Sequence, residues 1–145
     1  MQDKNRMTIP NKVLFEHVLE YIRLGKSVVI GVKGNSMKPF LREADRVVLE
    51  PLGNRHIKKG LVVLAYWEGQ IVLHRVVKIE GDSLYLAGDG NVAQRERVRK
   101  EDILAIAARL LDADREVDLT ENWRCYLGLF WYRVRPLRRI VMKVF

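Results

Sequence analysis

The sequence predicts a mainly β (α+β) domain: a compact antiparallel β body, an N-terminal helix and a C-terminal amphipathic helical tail. Three observations carry this. Short β-branched runs separated by turn residues fill the middle of the chain. An apolar stripe at helical spacing precedes them, and an aromatic, basic stretch follows. The 145 residues, 48% of them apolar, suit one packed domain rather than a disordered chain.

The first helix is placed at residues 10–25. Pro10 suits a first helical turn, and Thr8 or Asn11 can cap it. Val13, Leu14, Phe15, Val18, Leu19 and Ile22 form its apolar stripe, Gly25 is its stop, and His17 falls at the rim. Five runs then read as strands: SVVIGV from Ser27, RVVLEP from Arg46, LVVLAYW from Leu61, QIVLHRVV from Gln70 and SLYLA from Ser83. Residues 103–111 fit either a strand or a helix. A strand is preferred, because the β body needs a closing element. The domain so defined covers 1–120, and 121–145 form the tail. After Pro136, Leu137, Ile140, Val141 and Val144 share one helical face, with Arg138, Arg139 and Lys143 away from it.

The net charge of +8 is unevenly spread. Residues 31–120 are nearly neutral, with 15 basic and 14 acidic side chains, whereas residues 121–145 carry 6 and 1. A nucleic-acid-binding core would carry its basic patch on the folded domain, and no helix-turn-helix pattern precedes the β runs, so no nucleic acid is expected as a partner. The basic tail points instead to one of two roles: peripheral contact with an anionic membrane, or a structural cap in which Trp123, Tyr126 and Phe130 pack back onto the β domain or onto a second copy. No run approaches the length of a membrane span, and the first residues lack the apolar core of a secretory signal. The single cysteine, Cys125, excludes an internal disulfide and a cysteine-based zinc cluster. The expectation is a cytoplasmic protein, peripheral at the inner membrane face, with no metal or cofactor and an oligomeric state the sequence leaves open.

Three segments can carry chemistry. Gly34-Asn35-Ser36-Met37-Lys38-Pro39 follows a strand. Its glycine permits a tight turn that holds a hydroxyl clear of the sheet and aims backbone N–H groups at one point. Leu73-His74-Arg75-Val76 places a histidine inside an apolar strand, and Gly88-Asp89-Gly90-Asn91 places an acid in a glycine turn. Each alone is a common structural pattern.

Together, in this order and spacing, they resemble the S24/S26 serine peptidases, the superfamily of signal peptidase I and the self-cleaving domains of LexA-type repressors. The resemblance covers roughly residues 27–110 and is nearest to small stand-alone bacterial members. It implies a LexA/signal-peptidase-like fold and a serine endopeptidase. Ser36 would be the nucleophile and His74 the general base where many relatives have lysine. Asp89 would orient the imidazole, and the backbone N–H groups of Asn35 and Ser36 would form the oxyanion hole. Met37 and Pro39 would line the substrate cleft. Gly34 stands where signal peptidases often carry a side-chain oxyanion donor, so only the backbone donors remain. Ala44-Asp45 and Gly60-Leu61 read as structural turns, and Arg75 as a pairing residue on the opposite strand face. The partner implied is a protein or peptide precursor laid along a strand edge. The competing reading is a catalytically weak or inactive member that keeps the fold as a peptide-binding scaffold.

Overall fold

The computed structural model describes residues 12–112 and 114–144, with side chains over 16–112 and 114–141. Helix α1 (Lys12–Arg23) leads into strands β1 (Val28–Gly31), β2 (Arg46–Glu50), β3 (Val62–Trp67), β4 (Gln70–Glu80), β5 (Ser83–Ala87) and β6 (Glu96–Arg99). One 3-10 turn precedes the long β7 (Ile103–Asp112), followed by β8 (Arg115–Asp118), α2 (Asn122–Arg133) and α3 (Arg135–Val144). All strand pairs are antiparallel, in the order β1-β2-β7-β3-β4-β5-β6, with β8 added to β7. This is the mainly antiparallel β domain with flanking helices that the sequence predicts.

The five β-branched runs each form a strand, and residues 103–111 are the strand that the β body needs. β7 pairs with β2, β3 and β8, so it joins the two halves of the sheet. β6 and β8 were not expected. Both are four charged-rich residues with one buried face, ERVR and REVD, too short and too polar to stand out as strands. α1 ends as anticipated: Gly25 has a positive φ of 78°, and the Lys26 N–H donates to the Tyr21 carbonyl at 2.9 Å. The helix begins at Lys12 within the described residues, whereas Thr8, Pro10 and Asn11, the expected start, lie outside them.

The sheet is apolar on both faces. One cluster gathers Val18 and Ile22 of α1 with Met37, Leu41, Val47, Leu49, Val62, Leu64 and Ala105. The other gathers Leu61, Val63, Val76, Leu84, Leu86, Val98 and Ile106 with Cys125 of α2. β3 therefore sends alternate side chains into two cores, the expected behaviour of a strand covered on both sides. α2 comes close to the sheet where glycines leave room. A Cβ on Gly60, whose φ is +96°, would overlap Cys125, and a Cβ on Gly128 would overlap the Arg75 guanidinium. No helix of the described residues is long and apolar enough to cross a membrane.

Candidate functional site

The Ser36 turn leaves β1 through Val32, whose N–H donates to the Asp45 carbonyl at 2.8 Å. It is closed by the N–H groups of Lys38, which donates to Asn35, and of Phe40 and Leu41, which both donate to Met37. Ser36 itself is half-buried and Asn35 exposed. Met37 is 2% exposed and belongs to the α1-side core. Its expected place in the substrate cleft is therefore corrected: Met37 is the apolar peg that anchors the turn. Pro39 is exposed beside it and remains free to line a cleft.

A second turn presses on the first. Gly90 N–H donates to the Ser36 carbonyl at 2.9 Å. A Cβ on Gly88 would lie 2.5 Å from that same carbonyl oxygen and 3.1 Å from His74 Nε2, and one on Gly90 would lie 2.7 Å from the Asn35 carbonyl. A side chain at Gly88 would thus meet both the His74 ring and the Ser36 backbone, and the glycine is what lets them approach. The three segments singled out in the sequence do converge.

The acid, however, is not the expected one. Asp89 accepts from both Arg75 Nε at 2.8 Å and Arg75 Nη2 at 2.7 Å, and both side chains are buried. Arg75 follows His74 on the strand and so points to the other face, where it also donates to the Gly60 carbonyl at 2.7 Å. A planar fork held by two parallel hydrogen bonds is the preferred partner of a carboxylate. Asp89 is claimed by that fork and does not orient His74. Burial pushes its carboxyl above the ordinary value, and Arg75 works against that push.

The carboxylate on His74 is Glu96, the first residue of β6, bonded through Oε1 to His74 Nδ1. Glu96 is 1% exposed and His74 8%. A neutral His74 that donates from Nδ1 to this carboxylate would leave the Nε2 lone pair open toward the Gly88 turn. Glu96 Oε2 is buried with no hydrogen-bond partner among the described residues, a costly arrangement of the kind found at functional sites. Sequence reasoning missed Glu96 because it opens an unrecognised polar strand. The available signal was the alternation Glu96, Val98 against Arg97, Arg99, which turns Glu96 inward.

The Asp89 turn is itself held from outside. Trp131 Nε1 and Arg138 Nη2 donate to the Asp89 carbonyl at 2.8 and 2.7 Å, and Arg139 Nε donates to the Val92 carbonyl at 2.7 Å. Phe40 stacks edge-on to Trp131 and lies under Arg75. Among the described residues, no cluster of His, Cys, Asp and Glu is arranged to hold a metal ion.

A half-buried serine turn, a buried histidine–carboxylate pair and a glycine turn between them thus meet within one antiparallel β domain. The chain belongs to the Peptidase S24-like family, whose model matches residues 2–111. No curated protein and no solved structure matches it.

Proposed function

We propose that this protein is a serine endopeptidase that cleaves an extended segment of a protein or peptide precursor, with Ser36 as nucleophile, His74 as general base and Glu96 as the residue that orients the base. The observation that carries the reading is the buried His74–Glu96 pair, with His74 Nε2 and the Ser36 carbonyl oxygen both close to the space a Gly88 side chain would fill. In the first step Ser36 Oγ bonds to the substrate carbonyl carbon while its proton passes to Nε2. Backbone N–H groups of Asn35 and Ser36 stabilise the oxyanion, each such donor contributing about 3 kcal/mol to lowering the barrier. The imidazolium, steadied by Glu96, returns the proton to the leaving amine, and water then hydrolyses the ester. β1 ends the sheet and runs into the Ser36 turn, so its open edge can align the substrate strand.

The test compares new peptide N-termini in cells carrying the wild-type chain with those carrying Ser36→Ala. N-termini that vanish in the alanine strain, while the variant accumulates to the wild-type level with an unchanged Tm, are expected. Identical sets would establish the non-catalytic scaffold instead.

A further inference from the structure

The two C-terminal helices are turned inside out relative to an ordinary surface helix. On α2, Trp123, Tyr126, Leu127 and Phe130 face solvent, with Tyr126 at 69% and Phe130 at 62% exposure. On α3, Leu137, Ile140 and Val141 do the same, Leu137 at 63%. The inward face is small or polar apart from Trp131: Cys125 and Gly128 meet the β body, and Arg138 and Arg139 reach the carbonyls of Asp89 and Val92. Cations that would normally be solvated hold the helices down, and the apolar side chains are left outside.

Most of these side chains fall on one stripe. Residues 123, 127, 130, 134, 137 and 141 recur at alternating intervals of four and three, the period of a single helical face, with Val134 half-buried at its centre and Tyr126 and Ile140 beside it. The hydrogen-bond ladder continues across the junction, with Val134 N–H donating to Phe130 at 3.2 Å and Arg138 N–H to Val134 at 3.0 Å. Isolated exposed apolar residues need no explanation, but a continuous stripe marks a contact surface.

Charge decides what that surface meets. Residues 121–145 carry six basic side chains and one acidic one. Lys58 and Lys59 of the β body join Arg133 of α2 around the groove of Tyr126 and Phe130, adding two cations to those six. A second copy would bring two such segments together with one acid apiece to offset them. An anionic bilayer offers phosphates to the exposed Lys58, Lys59 and Arg133, and an interface suited to Trp and Tyr. The helices have 12 and 10 residues, lengths for lying in the interface rather than crossing it.

We infer that the outer face of α2 and α3 docks in the headgroup region of an anionic membrane, with the helices in the plane of the bilayer and the Asp89 turn held on their inner side. Docking needs no peptidase activity, so its test is independent of the function proposed above. The full chain is floated with vesicles of mixed phosphatidylglycerol and phosphatidylcholine, and with phosphatidylcholine alone, at low and high salt. Phe130→Ser/Leu137→Ser/Ile140→Ser, which alters only exposed side chains, is run beside it after its Tm is checked. The wild-type chain is expected to float with the anionic vesicles, to be released by salt and to ignore the neutral ones; the triple variant is expected to bind roughly tenfold more weakly or less. No flotation, equal flotation of the variant or equal binding to neutral vesicles overturns the inference. So does sedimentation showing a dimer that the same substitutions abolish while neither protein floats.

Discussion

His74 and Arg75 are adjacent in the chain, and each has a buried carboxylate of its own: Glu96 for one, Asp89 for the other. The two pairs do different work, and substitution separates them. Asp89→Asn leaves a 5%-exposed guanidinium without its counter-charge, and breaking a buried pair of this kind costs about 3–5 kcal/mol. The variant is therefore expected to lose most of its stability, and activity only as the folded fraction falls. Glu96→Gln keeps size and shape but no longer fixes the proton on Nδ1. It is expected to lower kcat by roughly 100- to 10,000-fold with a nearly unchanged Tm, the signature of a mis-set tautomer. Thermal melts and turnover of both variants on one substrate decide the matter. A stable but inactive Asp89→Asn beside a fully active Glu96→Gln would reverse the assignment of the two acids.

At the scale of elements, the site is the meeting of two turns, and glycine is what lets them meet. Gly88 has no unusual backbone conformation; it is required for space, since any Cβ would lie 2.5 Å from the Ser36 carbonyl oxygen and 3.1 Å from His74 Nε2. The obstacle is backbone, which cannot swing aside as a side chain can. Gly88→Ala must part the turns by a few tenths of an ångström or more. Alignment of the proposed nucleophile and base is far more sensitive to such a shift than packing is. Turnover is expected to fall at least about 100-fold, with a Tm change of only a few degrees. A Gly88→Ala protein with wild-type turnover would show that the Ser36 and Asp89 turns are not functionally joined. The Gly60 position differs: its φ of +96° and the overlap with Cys125 both oppose a side chain, and the loss there is one of α2 docking.

For the molecule as a whole, the legible parts were those with apolar alternation or a distinctive local motif. The runs around Val29, Val48, Leu64, Leu73 and Leu84 are strands because β-branched and aliphatic residues alternate into two cores. Ser36 and His74 were visible in their motifs. Glu96 and the true partner of Asp89 were not, because strand pairing decides them: β6 must lie beside β5 before Glu96 can reach β4. The tail's packing was equally hidden, since a basic amphipathic pattern does not say which face turns inward. The family match ends at residue 111, yet the support of the site does not. Trp131 and Arg138 donate to the Asp89 carbonyl, Gly128 lies against Arg75, and Cys125 closes the second core. A chain ending at Leu119 is thus expected to be a weakened domain rather than an intact core minus an accessory. Two lost hydrogen bonds to the carbonyl of a buried residue amount to about 2 kcal/mol before any newly exposed apolar area is added. For a chain of this size that lowers Tm by roughly 5–10 °C. Amide exchange is expected to quicken at Asp89 and Gly90 more than in β3, and turnover to fall with it. If the shortened chain melts with the full one and protects Gly90 equally, α2 and α3 serve only the outer surface, and the proposed site is complete without them.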